Sequence, residues 1–276
     1  MKVIYVVPGP MGRTEEGRVE MERRLTLLRG YAAPGTEMDI LDIDEGPASI
    51  ESLYEEYLSI PNTVEKMIEA EREGYDAAIL GCYGDPGLDA MREVTQQMVV
   101  VGPGEAGVMA AAMCGHRFSI ITVTTSIINA LHNLVEKAGV AKKLVSVRAI
   151  ETPVLELAED RDATVDKLVE EGRKAIEVDR ADTLILGCMS MGFLGVAEEM
   201  SEALQVPVIN PGKISLKMAE ALVGSGLHHS KLAYAYPPKI ASGRAGTPKD
   251  LMVKKNERCS SLENIEYESG GREIEA

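Results

Sequence analysis

The sequence predicts an α/β protein: two similar Rossmann-like lobes, each built on a parallel sheet, related by a pseudo-twofold axis, with the active site in the cleft between them. Three observations predict it. Short apolar runs alternate with amphipathic stretches, the pattern of parallel strands with helices on both faces. The segment Asp76-Ala-Ala-Ile-Leu-Gly81-Cys82 returns about a hundred residues later as Asp182-Thr-Leu-Ile-Leu-Gly187-Cys188. Downstream of each, a Pro-Gly pair opens a helical stretch. Gly104 follows the first Cys by 22 residues and Gly212 follows the second by 24, a spacing that fits a duplicated lobe with loop variation.

Taken in order, Lys2 to Val7 reads as a strand, Thr14 to Ala33 as a helix and Met38 to Ile43 as a strand. Asn62 to Glu73 reads as a helix: Asn62 can cap it, Glu65 sits three residues on, and Val64, Met67 and Ile68 share a face. A strand at Ala77 to Leu80, a short helix at Asp89 to Gln97, a strand at Met98 to Val101 and a helix at Ala106 to Met113 complete the first pass. The second pass has strands at Phe118 to Val123, Val145 to Arg148, Thr183 to Leu186 and Val206 to Ile209. Its helices are Ser126 to Ala138, Asp162 to Asp179 and Leu194 to Leu204, and the last of the chain is Ile214 to Val223. In Asp162 to Asp179 the buried stripe is Val165, Leu168, Val169, Gly172, Ala175 and Ile176. The last helix is expected to pack back on the first lobe. The lobes are therefore residues 1–113 with 210–236, and 114–209. Residues 237–276, polar and rich in Gly and Ser after Pro237-Pro238, read as a loosely docked tail.

The 276 residues are 45% hydrophobic, with no Trp and two Phe, so the core is aliphatic and Met-rich. Formal net charge is −15. The stretch from Lys239 to the end holds seven basic and seven acidic residues, which places the excess acid on the folded body. That balance argues against nucleic acid and anionic lipid as partners. No apolar run approaches a transmembrane span, and Val3 to Val7 runs into Pro8-Gly9-Pro10, so it reads as a strand and not a signal peptide. Cys82, Cys114, Cys188 and Cys259 lack metal-type spacing. The expectation is a reduced, cytoplasmic protein with free thiols and no metal.

A strand ending in Gly-Cys delivers a thiol to the carboxyl edge of a sheet, where open α/β sheets bind ligands. Two such thiols, Cys82 and Cys188, can face one another across a cleft. One base then abstracts a proton from a carbon while the other returns it to the opposite face. A helix start lowers a thiol pKa, and the Gly-rich turns around each Cys offer backbone N–H groups to a carboxylate, carbonyl or enolate oxygen. A buried Cys is otherwise a small hydrophobe. That blander reading suits one strand-end Cys better than two in matched positions. Cys114 reads as core and Cys259 as incidental. Asp85 reads as a loop-structuring residue. Glu105 reads as a first-turn acid favoured by the helix dipole. His116, His132, His228 and His229 have no partners at metal spacing, and the His228-His229 pair reads as solvated. Pro8-Gly9-Pro10-Met11-Gly12 is too rich in Pro for a dinucleotide fingerprint.

From about residue 45 to 223 the chain resembles the aspartate/glutamate racemase superfamily, and within it the hydantoin racemase branch. The resemblance is carried by Pro47-Ala-Ser49-Ile50-Glu51 with Tyr54-Glu-Glu, by Gly81-Cys-Tyr-Gly-Asp85-Pro86-Gly87-Leu88, and by Gly102-Pro-Gly104-Glu105-Ala106. Arg117-Phe118-Ser119, Arg148, Pro153-Val-Leu, the second Gly-Cys and Val206-Pro-Val-Ile-Asn210 continue it. The resemblance implies that Cys82 and Cys188 are racemising bases, that no cofactor is used, and that the chain forms a homo-oligomer. The substrate it implies is a small molecule, a 5-substituted hydantoin or related ureide. Substrate-binding residues are then expected at Pro8, Gly9, Tyr83, Gly84, Thr124, Thr125, Met189 and Ser190. Two departures stand out. Pro8-Gly9-Pro10-Met11 replaces the polar Asn-Pro-Asn clamp usual in that branch, and Met189-Ser190-Met191 replaces Ala-Gly-Met. Both reshape the pocket and leave the thiol pair intact. Maleate-type isomerisation or decarboxylation within the superfamily, and a non-catalytic sensor on the same scaffold, are the alternatives.

Overall fold

The computed structural model describes residues 1–243 and 251. The chain divides into two units, Met1–Tyr236 and Pro237–Ala276. The first unit holds two parallel four-stranded sheets. In one, β1 (Lys2–Val7) lies between β2 (Glu37–Asp42) and β3 (Ala77–Leu80), with β4 (Val99–Val101) outside β3. In the other, β5 (Phe118–Thr122) lies between β6 (Leu144–Ala149) and β7 (Thr183–Leu186), with β8 (Val208–Ile209) outside β7. The two strand orders correspond position for position.

The repeated segment does the same structural work in both sheets. The Asp76 carboxylate accepts the backbone N–H of Lys2 at 2.7 Å, at the head of β1. The Asp182 carboxylate accepts the N–H groups of His116 and Arg117 at the head of β5. At the other end, Gly81 N–H donates to Val6 O at 2.8 Å, and Gly187 N–H to Ile121 O at 2.7 Å. Each Cys therefore leaves its strand at the same point relative to a neighbouring strand.

Side chains alternate across the first sheet as the strand period requires. Val3, Tyr5, Ile79 and Val99 pack with Leu25 and Leu28 of helix α1 (Glu15–Tyr31). Ile4, Val6, Ala78 and Leu80 pack on the opposite face with Met67 of α2 (Leu53–Arg72) and Met91 of α3 (Leu88–Val94). The second sheet buries Phe118, Ile120, Leu184 and Leu186 against α5 (Ile128–Lys137), α6 (Arg161–Glu177) and α8 (Ala197–Leu204) through Leu131, Leu168 and Met200. The two helices that open with Pro-Gly cross between these cores. Val108 and Ala111 of α4 (Pro103–Cys114) join the core of the second sheet. Leu216 and Ala219 of α9 (Pro211–Gly224) join that of the first, as the sequence predicts for the last helix.

Three elements differ from expectation. Helix α2 starts nine residues before Asn62 and runs through Pro61. Its true start is a capping box: Ser52 Oγ accepts Glu55 N–H, and the Glu55 carboxylate accepts back from Ser52 Oγ and Glu51 N–H. The helix expected from Leu194 to Leu204 starts later, as α8 at Ala197, with a separate turn of helix before it. A short helix, α7 (Met189–Phe193), follows Cys188 directly, and Gly195 at φ 70° breaks the chain before α8. Cys114 ends α4 on an exposed face and is not core. In the second unit Pro238–Ala241 form the short helix α10; Cys259 and most of the expected tail lie outside the described residues.

Candidate active site

Strands β3 and β7 are interior strands, and their carboxyl ends deliver Cys82 and Cys188 to one cavity of about 90 Å³. A buried water needs roughly 10–15 Å³ on the same scale, so this is space for a small molecule. Val7, Pro8, Gly9 and Met11 enter from the end of β1, and Pro47 to Ile50 from the loop before α2. Val123, Ile127 and Leu131 close the wall on the side of β5. The mouth is pinned across the two sheets by Glu51: its carbonyl accepts from Ser126 Oγ at 2.6 Å, and its carboxylate accepts Val154 N–H at 2.9 Å.

The two sulfurs stand in different fields. Burial pushes both thiols up. At Cys188 that push is opposed by the backbone N–H groups of Met191 and Ser190, by the Arg24 guanidinium and by the Ser190 hydroxyl. At Cys82 a single N–H, from Gly84, opposes it, and the carboxyl groups of Glu56 and Asp85 reinforce it. Negative charge is therefore easier to hold on Cys188 than on Cys82.

Eight of the ten predicted site positions, Pro8, Gly9, Cys82, Tyr83, Gly84, Cys188, Met189 and Ser190, line the cavity. The Tyr83 side chain itself is buried, and its hydroxyl has no hydrogen-bond partner among the described residues. Thr124 and Thr125 do not line it. Beyond the end of β5 Val123 lines the cavity, Thr124 Oγ1 bonds Ser126 Oγ at 2.8 Å and Thr125 opens a 3₁₀ turn, Thr125–Ile127, in which it is exposed. Asp85 is structural as expected: its carboxylate accepts the N–H groups of Gly104 and Glu105 at 2.9 and 2.7 Å, capping α4. Burial holds that carboxyl at about 7 in spite of the two donors. Glu105 pairs with Arg92. His229 is not simply solvated. Its Nε2 accepts the Val100 N–H at 2.8 Å along edge strand β4, and burial lowers its pKa to about 4. Among the described residues no group of three or more His, Cys, Asp or Glu could hold a metal ion, and no helix is long and apolar enough to cross a membrane.

Two charged residues escaped the sequence reading. Arg24 is 6% exposed on α1, donates to Ser190 Oγ at 3.1 Å and to Glu20 at 2.8 Å, and stacks over the Phe193 ring at 4.9 Å. Glu56 is 9% exposed on α2 and lines the cavity beside Cys82. Both lie in register with buried stripes, Arg24 with Leu25 and Leu28, and Glu56 with Ser59, Thr63 and Met67. A charged side chain on a buried stripe is the signal that would have found them.

The model of one protein family, Asp/Glu/Hydantoin racemase, matches residues 20–219. The chain is 43% identical over 212 residues to a hydantoin racemase of Pseudomonas sp. (strain NS671), covering 76% of this chain and 84% of that protein. It is 32% identical over 232 residues to a hydantoin racemase of Paenarthrobacter aurescens, covering 84% of this chain and 94% of that protein. Its fold is similar to the solved structure of an allantoin racemase from Klebsiella pneumoniae, at a TM-score of 0.79 and 30% identity over 86% of this chain and 94% of the other.

Proposed function

The chain belongs to the Asp/Glu/hydantoin racemase family and is a racemase acting on small molecules, and from that premise we propose that it racemises a 5-substituted hydantoin or related ureide with Cys82 and Cys188 as its acid–base pair and no cofactor. The observation that carries this reading is that both sulfurs, at corresponding strand ends, line one small-molecule cavity. In the reactive form of the enzyme Cys188 is the thiolate and Cys82 the thiol. The substrate lies between them. Cys188 Sγ takes the proton from the carbon next to the carbonyl, and the bonding pair moves onto the carbonyl oxygen as an enolate. Arg24 and the loop N–H groups favour that negative charge. The Cys82 S–H then returns a proton to the opposite face. The other enantiomer uses the same two groups in reverse.

The substrate class is supported by the named relatives and by the lining. Val7, Pro8, Met11, Ile50, Val123 and Met189 suit a largely apolar ring substituent, and Glu56 disfavours a free carboxylate beside Cys82. The same proposal places the enzyme in a reducing, cytoplasmic setting that keeps the pair as free thiols. It also takes the chain as a homo-oligomer, supported by the exposed Leu53, Tyr54, Tyr57 and Leu58 on one face of α2.

The test is chiral chromatography of enantiopure 5-benzylhydantoin incubated with the protein, alongside allantoin, maleate and an arylmalonate. Only the cyclic ureides should lose optical purity or change. Cys82→Ser and Cys188→Ser should each lower racemisation by about 10²-fold or more. Full activity in both single variants contradicts the two-thiol mechanism.

A further inference from the structure

We propose that Glu56 is the proton relay that returns Cys82 to its thiol form between turnovers, by joining that sulfur to a second, solvent-side cleft. The proposal rests on the two-thiol reading and adds the step that reading leaves open. After Cys82 has delivered its proton it is a thiolate, and Cys188 carries the proton taken from substrate. Before the same enantiomer can react again, Cys82 must gain a proton and Cys188 must lose one.

The geometry supplies a route to Cys82. A second cavity, about 390 Å³, lies on the far side of the Cys82 loop, with Asp85, Asp89, Arg92, Glu105 and Lys137 on its walls. Of the residues lining the two cavities, only Glu56 and Gly84 border both. Gly84 has no side chain to part them. A methyl group added there would collide with the Glu56 carboxyl and stand 3.9 Å from Cys82 Sγ, so carboxyl and sulfur converge on that one point. Glu56 is thus the ionisable side chain common to the two cavities.

Its surroundings fit that task. The carboxyl has neither a hydrogen-bond nor an ion-pair partner among the described residues, although it is buried on a stripe with Ser59 and Thr63. The groups that face it are Cys82 and, across the second cavity, the carboxylates and cations named above. Arg24, which lines the same cavity, is bonded instead to Glu20 and Ser190. Burial raises the carboxyl to about 7, a value from which a proton can be both given and regained at neutral pH. A carboxyl needed only for structure gains nothing from being buried without a partner.

The step balances as follows. The Glu56 O–H bond breaks and a Cys82 S–H bond forms, leaving a carboxylate and a neutral thiol. The carboxylate takes a proton from a buffer acid or water in the outer cleft. The proton on Cys188 leaves to solvent through the vacated pocket, so the enzyme returns to its starting charge.

Because this reset follows product release, it limits turnover at saturating substrate and leaves the low-substrate rate largely untouched. With 5-benzylhydantoin, Glu56→Gln keeps the size of the side chain and its capacity to hydrogen-bond but has no acidic proton to transfer. Its kcat should fall by about 10²-fold, with kcat/KM within a few-fold of wild type. In Glu56→Ala, formate should restore kcat in proportion to its concentration. Three results overturn the relay: unchanged kcat, a rise in KM alone, or equal loss of kcat and kcat/KM that formate does not relieve. If neither variant folds, judged by its thermal melt, Glu56→Asp decides. It must lower kcat and spare kcat/KM, and any other pattern overturns the relay. A wild-type protein inactive on the probe, or a fully active Cys82→Ser, removes the two-thiol reading and the relay with it. A Cys82-dependent racemase whose Glu56 variants keep kcat removes the relay alone.

Discussion

Removing the Ser190 hydroxyl tests how Cys188 is made the base. Ser190 Oγ accepts a hydrogen bond from Arg24 Nη2 at 3.1 Å. With one lone pair occupied by the guanidinium, its single proton is turned to the Cys188 sulfur, where it favours the thiolate. A hydrogen bond to a charged group contributes about 1.5–3 kcal/mol. Each ~1.4 kcal/mol is tenfold in an ionisation equilibrium. Burial has already raised Cys188 above the ordinary thiol value of 9.0, so near neutral pH the rate follows the thiolate fraction. Ser190→Ala should therefore lower kcat/KM about ten- to a hundredfold at neutral pH, with the deficit closing as the pH becomes alkaline. Because enantiomers have equal free energy, kcat/KM must fall equally in both directions. Polarimetry on each enantiomer from neutral to alkaline pH gives the profile. Iodoacetamide alkylation in a Cys82→Ser background, followed at the Cys188 peptide by mass spectrometry, reads Cys188 apart from Cys114 and Cys259. An unchanged pH profile, or a loss that persists undiminished at high pH, refutes the reasoning.

Other consequences are as concrete. Asp85→Ala removes the cap from α4 and should cost about 1–2 kcal/mol, read as a lower Tm. Gly84→Ala forces the Glu56 carboxyl and Cys82 apart and should lower racemisation while leaving the far-UV circular dichroism native. Glu56 also bears on stability. Its carboxyl moves from an ordinary 4.5 to about 7 in the fold, so the folded state binds the extra proton between those values. Its contribution is complete below pH 4.5 and is lost as pH rises through about 7. The wild type should therefore lose more Tm than Glu56→Gln on going from pH 4.5 to above 7, and equal losses would contradict the burial argument.

Much of this was legible in the sequence because it rests on local, repeated patterns. The Gly-Cys repeat marks two equivalent strand ends because the same Asp and Gly backbone bonds recur at both. What the sequence hid depends on distant partners. Asn62 reads as a helix cap in sequence, but the helix starts at the Ser52 capping box and runs through Pro61. Arg24 and Glu20 stand four apart on α1, and the approach of Ser190 and Phe193, from a segment far along the chain, buries the guanidinium. Glu56 sat unremarked inside a resembling stretch because its chemistry comes from the loop of Cys82. Thr124 and Thr125 were expected at the site from the family resemblance, and the 3₁₀ turn that follows β5 carries them away from the cavity.

The most direct test of two thiols working from opposite faces is isotopic. When one enantiomer of 5-benzylhydantoin is racemised in D₂O and sampled early, the account predicts deuterium at the stereocentre of the product and protium in the substrate that remains. Protium carried into the product, or deuterium appearing equally in both enantiomers from the start, would mean that a single base serves both faces.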